Sequence, residues 1–355
     1  MKILCISYNH KPYIGGIETY SNKLEEYLKK QDISAAFINK PYSRYKLLRL
    51  LKILFFSFFH LLRNKYDVVH LTNLNLWPLV CINLVNKNKT NFIINLHGLE
   101  LVYSDRNTLL SKVYKFYVPY KFLNSKNKIL FLCNSEQTLK LASQKINLSN
   151  LSYIPMGVDS CFQAPKSLSV DVDQFFYVGR IVKRKGISWF IKNVLVHFPE
   201  KKLLISGPIL DKREFKIIQN SPQVTYLGVL NEKEIVKLHQ ESFITIFPNL
   251  IEYASNDFEG FGITFLEAIA NGGLSMATLH QGVISSSLNG KIGVCLNTNS
   301  SDDWKNKIQE IELQGLDNRQ KIISSSQSLI EKNFLWEVVF RTTEREYKKH
   351  YTNSF

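Results

Sequence analysis

Two glutamates eight positions apart, Glu259 and Glu267, lie in the stretch FPNLIEYASNDFEGFGITFLEAIANGG, residues 247–273. It reads as a strand end, a polar loop, a glycine-flanked turn at Glu259-Gly260-Phe261-Gly262, and then a helix from about Ile263 to Ala270. Asn271-Gly272-Gly273 stops that helix. One carboxylate precedes the helix and the other sits inside it, with the free N–H groups of the first turn between them. Such a helix start attracts phosphate. Acids on either side of a phosphate site would hold hydroxyl groups at both ends of a phosphate-centred ligand. A nucleotide sugar has that layout: ribose, diphosphate, sugar. Taken alone, such a pair is more often a capped helix with two solvated acids.

A second group of residues is basic. Strand 175–179 runs into GRIVKRKG, which sets Arg180 and Lys185 five positions apart. Two fixed cations so placed could hold an anion. A surface basic cluster is the plain alternative, since Lys183 and Arg184 are also basic. Strand 92–96 ends in His97-Gly98, so His97 lies just past a carboxyl end, where parallel sheets bind ligands. Strand 2–8, Gly15-Gly16 and a helix from about Glu18 to Lys30 make the first unit of a doubly wound domain. Asp171-Val172-Asp173 matches a D-x-D metal motif but falls in a linker, 166–174, and is read as structural.

In this order the strings resemble those of glycosyltransferase family 4, retaining enzymes of the GT-B fold. EGFGITFLEA resembles the family's E-x7-E motif and GRIVKRKG its G-R-x4-K-G phosphate site. YIPMGVD, residues 153–159, resembles IPNGVD with Met156 in place of Asn. His97-Gly98 stands where members carry HG or HD, and Asn134-Ser135 where "NS" leads into a helix that Ser135 can cap. The sequence departs from the family pattern in two further places. No arginine follows Asn249, and His280-Gln281-Gly282-Val283 fits the usual Gly-Gly pair loosely. The resemblance spans essentially the whole chain.

It implies an α/β protein of two doubly wound Rossmann-like domains facing each other across a cleft. Residues 1–160 would bind acceptor, residues 161–335 the nucleotide sugar, and a helix at 336–355 would return to the first domain. Glu259 would hold sugar hydroxyls and Glu267 the ribose. Backbone at Phe261, Gly262, Ile263 and Thr264 would meet sugar and phosphate. Arg180 and Lys185 would bind the diphosphate, His97 would contact the donor sugar at the reacting centre, and Gly15 and Gly16 would border the diphosphate. Turns at Gly207 and Val229 would line the nucleotide pocket. The implied reaction is retaining transfer of a hexose from a nucleotide-diphosphate sugar to a glycan or polyprenyl-diphosphate-linked acceptor. No metal or other cofactor is expected. Family members often build bacterial surface polysaccharide: O-antigen, capsule or lipopolysaccharide.

Length and composition fit this reading. The 355 residues, 45% hydrophobic and 21% charged, suffice for two globular domains with ample core. Cys5, Cys81, Cys133, Cys161 and Cys295 are scattered, without zinc spacing, and read as reduced thiols of a cytoplasmic protein. MKILCISYNHKP reads as a first buried strand rather than a signal peptide. Residues 1–155 hold 22 Lys and Arg against 8 Asp and Glu, a net +14. Residues 156–355 hold 23 against 22, a net +1. Such asymmetry points to an anionic partner for the first half.

Residues 45–63, YKLLRLLKILFFSFFHLLR, predict a basic amphipathic helix. Leu47, Leu50, Leu51, Leu54, Phe55, Phe58, Leu61 and Leu62 form its apolar stripe, expected to pack. Lys46, Arg49 and Lys52, with Phe56 inside their arc, are expected to face an anionic membrane. The expected location is therefore the cytoplasmic face of the inner membrane, held peripherally. A catalytically silent GT-B scaffold that binds glycan or lipid is the alternative. A basic nucleic-acid-binding protein is a further one, for which the sequence offers no reader motif.

Overall fold

The computed structural model describes residues 1–9, 15–31, 33–39, 45–85, 90–103, 105–106, 108–124, 129–162, 169–251 and 257–352, with only the backbone of Lys46. These residues divide into two compact units. The first comprises residues 1–157, 257–261 and 336–352; the second comprises residues 158–251 and 262–335.

The first unit holds one sheet of six parallel strands: β1 (Ile3–Ile6), β2 (Ala35–Ile38), β3 (Val68–Leu71), β4 (Asn91–Leu96), β5 (Ile129–Cys133) and β6 (Leu151–Tyr153), in the order β2-β1-β3-β4-β5-β6. Their sequences are nearly unbroken apolar runs, as a parallel sheet covered on both faces requires. Leu4, Ile6, Val69, Leu71, Phe92, Ile94 and Phe131 form the centre of the core. The C-terminal helix Trp336–Thr352 belongs to this unit. Its Trp336 and Phe340 pack against Tyr20, and its Tyr347 hydroxyl lies 2.5 Å from Nδ1 of the buried His70.

The second unit repeats the architecture with β7 (Asp171–Val178), β8 (Lys202–Ser206), β9 (Val224–Tyr226), β10 (Ser242–Phe247), β11 (Ser275–Thr278) and β12 (Val294–Leu296), in the order β12-β11-β10-β7-β8-β9. Phe175, Tyr177, Leu203, Ile205, Ile244, Ile246, Met276 and Trp304 fill its core. In doubly wound sheets ligands bind beyond the carboxyl ends of the strands, where the order reverses. That point lies between β1 and β3 in the first unit and between β7 and β10 in the second.

Helix Lys46–Arg63 forms as predicted, but only part of its expected stripe packs: Leu50, Leu54, Phe58 and Leu61 lie against the core. Arg49, Ile53, Ser57 and Leu61 are buried, while Leu47, Leu51, Phe55, Phe59 and Leu62 are exposed. Arg49 lies 5.9 Å above the Tyr8 ring inside the unit, so it cannot meet a lipid. Lys52 and Phe56 do face outward, and the Lys46 side chain lies outside the described residues. The helix is apolar almost all round, so its own period does not decide which side packs. Among the described residues no helix is long and apolar enough to cross a membrane.

Candidate functional site

In the second unit, the predicted donor residues follow one another along the carboxyl edge of the sheet. The loop after β7 carries Arg180 and a short turn, Lys183–Lys185, that closes on Gly186. The loop after β10 carries Pro248, Asn249 and Leu250. The two loops meet at the topological switch point: the Leu250 N–H donates to the Arg184 carbonyl at 2.9 Å. Gly186 sits at φ +70, and a Cβ there would stand 1.9 Å from the Pro248 carbonyl oxygen. Only glycine allows that approach. Lys185 and Arg184 are buried beside it, and Arg180 is exposed, its carbonyl accepting from the Tyr177 hydroxyl at 3.0 Å. A cationic rim with one buried amine is suited to an anion.

Helix Ile263–Ala270 begins after β10 as predicted. Its N-cap, Gly262, is left-handed and offers no side-chain cap, so no side chain competes for the first-turn N–H groups at Ile263 and Thr264. The Glu267 side chain keeps part of its surface accessible, yet burial pushes its carboxyl up to about 7, and Asp159 and Glu232 add to the shift. On the other side of β7, the Gly207 N–H donates to the Gly228 carbonyl at 2.9 Å. The adjacent Val229 is exposed after β9. Val229, Gly207, Arg180 and the helix tip thus follow the strand order β9-β8-β7-β10.

In the first unit, His97 lies just past β4 and is buried. Its backbone N–H donates to Glu100 Oε1 at 2.5 Å, and its Nε2 lies 2.9 Å from the Thr72 carbonyl oxygen. A carbonyl only accepts, so Nε2 is the donor in this contact. Residues 257–261 pack on this strand end. A Cβ on Gly260 would stand 2.1 Å from the His97 carbonyl oxygen, and the Phe258 ring lies over Gly98. Arg106 and Asp257 form an ion pair at 3.3 Å. Glu259 and Phe261 are therefore held beside His97. Gly15 caps helix Gly16–Lys30 after β1, two strands away from β4. Residues 10–14 between β1 and that helix lie outside the described residues.

Sequence reasoning missed three contributors. Arg184 looked like a bystander, but its carbonyl ties the two loops together. Val283 and Ser286 of helix Gly282–Ser286 back Gly262, with Val283 Cγ2 3.1 Å from where a Cβ would stand. Gln281 at φ 47 begins that helix and is the one local signal, because a non-glycine there needs tertiary support. The Asp171-Val172-Asp173 triplet opens β7 rather than lying in a linker, and its acids are paired: Asp171 with Lys202 at 2.8 Å and Asp173 with the buried Lys201 at 3.5 Å. Lys201 also meets Glu312 at 2.6 Å. Among the described residues no three His, Cys, Asp or Glu side chains are grouped to hold a metal.

Residues 162–328 match the family described as glycosyl transferases group 1. No curated protein matches the sequence. The chain is similar to the sucrose-phosphate synthase of Thermosynechococcus elongatus at 18% identity and a TM-score of 0.77, with 99% of each chain covered. It is similar to a glycosyltransferase of Rickettsia africae at 19% identity and a TM-score of 0.74, with 98% of each chain covered. It is also similar to Anabaena HepE, solved with UDP and glucose, at 15% identity and a TM-score of 0.71, covering 98% of this chain and 99% of that one. At such identities the likeness is one of fold, and the fold is GT-B.

Proposed function

From a chain whose residues 162–328 match the glycosyl transferases group 1 family, we propose a retaining hexosyltransferase that uses a nucleotide-diphosphate sugar. Arg180 and Lys185 bind the diphosphate, the N–H groups of Ile263 and Thr264 add to that grip, and Glu267 accepts from the ribose hydroxyls. Glu259 and backbone at Phe261 and Gly262 hold the hexose, His97 contacts it at the anomeric centre, and Gly15 and Gly16 border the phosphates. Gly207 and Val229 line the nucleoside side. The bond between the anomeric carbon and the phosphate oxygen breaks as the acceptor hydroxyl attacks from the same face. The departing diphosphate oxygen takes the acceptor's proton, so no protein base is needed. The cations stabilise the charge that develops on the leaving group, and no metal is required.

The observation that supports this most is the meeting of two loops at the switch point of the second unit, with Lys185 buried at the joint. UDP and glucose in the Anabaena HepE structure support the donor class. The proposed acceptor is a glycan or a polyprenyl-diphosphate-linked sugar in bacterial surface polysaccharide synthesis. The proposed workplace is the cytoplasmic face of the membrane, which the +14 charge of residues 1–155 supports. The test is a thermal-shift screen of nucleotide sugars, followed by release of free nucleotide on incubation with membranes. One donor is expected to raise the melting point, since binding to the native state stabilises it. The reading fails if no nucleotide sugar shifts melting and none is turned over.

A further inference from the structure

We propose that two outward apolar stripes of the first unit form a docking surface for an anionic lipid bilayer. The first stripe is the face of helix Lys46–Arg63 that bears Leu51, Phe55 and Phe59, all exposed. The second lies on helix Leu109–Tyr117, where Leu109 is 78%, Val113 59% and Phe116 88% exposed. Positions 109, 113 and 116 fall on one helical face, while Ser111, Tyr114 and Tyr117 turn inward. Both helices rest on the same turn of chain, Leu74–Cys81. The first packs along it, and Tyr117 of the second donates to the Asn75 carbonyl at 2.6 Å and meets the Trp77 ring. Apolar faces of this size on a soluble protein mark an interaction site.

Charge selects the partner. Residues 33–66 and 106–135, which contain the two helices, hold no Asp or Glu at all. They hold seven and six Lys and Arg respectively. Lys52 and Arg63 border the first stripe, and Lys112 and Lys115 flank the second. Apolar side chains enter the acyl boundary while neighbouring cations meet anionic headgroups. A second copy of the chain would bring the same excess of positive charge to the contact. This inference rests on the membrane location proposed above and specifies its surface, which is the reverse of the Arg49 arc.

The test is co-sedimentation of the full chain with vesicles of phosphatidylcholine alone or mixed with phosphatidylglycerol, at low and high salt. Binding is expected only with phosphatidylglycerol present, and raised salt should weaken it without abolishing it. Combining Phe55→Ser with Phe116→Ser should weaken binding by about tenfold or more. Both side chains are largely exposed, so circular dichroism and any donor-induced melting shift should not change. Lys112→Gln with Lys115→Gln should remove the preference for the anionic lipid. Wild-type protein that ignores both vesicles or binds them equally, or a double Ser variant that binds normally, overturns the proposal. So does a dimer in sedimentation velocity that the double Ser variant breaks. Vesicle binding without any donor-induced shift would keep the lipid surface and remove the transferase reading.

Discussion

The two units share a winding and differ in where their charge lies. In the second unit charge is nearly balanced, and among the described residues four cations are buried. Lys185 and Arg184 lie at the switch point, Lys201 is fully buried against Glu312, and Arg319 donates to the Phe243 and Ser242 carbonyls. Burial lowers the Arg319 pKa to about 10. In the first unit, Arg49 is buried, but Lys52, Arg63, Lys112 and Lys115 lie outside on two acid-free helices whose exposed faces are otherwise apolar. One doubly wound sheet can thus support a small-anion site at its carboxyl edge or a broad surface on its flanking helices. Strand order sets where a site can form, and the loops and outer faces decide what it binds.

The contrast breaks most visibly at the cations of the second unit. Arg180→Ala should lower sugar transfer by about 100-fold or more while leaving melting unchanged, because the side chain is exposed and its loss affects the leaving group. Lys185→Ala should cost as much activity and some stability as well, since that amine is buried. Steady-state nucleotide release measures the first effect and thermal melting the second. Near-normal turnover in both variants would remove the diphosphate role from this loop.

A backbone test comes next in size. Gly186→Ala drives a Cβ into the Pro248 carbonyl at a positive φ, so it combines overpacking of about 1–3 kcal/mol with the strain of that conformation. Melting should fall by several degrees and the donor-induced shift should vanish. Gly260→Ala is its counterpart in the first unit, forcing the Glu259 segment off the His97 carbonyl. There the donor's KM and kcat should worsen with a smaller loss of stability, because only a short loop has to move. Gly228→Ala is the control: its φ is +76 but nothing lies within 4 Å, so only the conformational cost of about 1 kcal/mol remains. Equal effects at all three positions would mean that the loop contacts are incidental.

Most strands and the glycine-ended loops of the second unit were legible, because buried parallel strands and glycine-ended turns are local signals, but β2, β6, β11 and β12 were not read as strands. Helix Ile263–Ala270 and the Ser135 cap appear where the residues put them, with Ser135 Oγ accepting from the Thr138 N–H at 3.0 Å. Helix Lys46–Arg63 was legible as a helix and illegible as a surface. With leucine and phenylalanine on both sides, tertiary contacts chose the face containing Arg49 and Ser57. Helix Ser301–Asn333 gave little pattern for another reason. It is broken at Gly315, and beyond the break its buried side includes Arg319, Ser326 and Gln327, which bond to backbone and not to apolar neighbours. Periodicity of apolar residues cannot find a buried face made of polar ones.

The smallest expected effect concerns Glu267 and sharpens what the second unit gives up for its site. Its carboxyl is raised to about 7 by burial first and by Asp159 and Glu232 next. Between the ordinary carboxylate range and 7, the folded protein therefore holds a proton that the unfolded chain has released. Stability from this group is full below the ordinary carboxylate range and is lost as pH rises through 7. Glu267→Gln removes the charge that costs stability, so the ligand-free variant should melt a few degrees above wild type at pH 8 and with it at pH 4. The same change should weaken donor binding at pH 8, where in the proposed role the ionised carboxylate accepts from the ribose. In wild type the donor's KM should rise as pH falls below 7, and the Gln variant should lose that step. A variant more stable at high pH that binds donor less well would mark Glu267 as a site kept at the expense of the fold. Parallel melting curves at both pH values would return it to an ordinary buried acid.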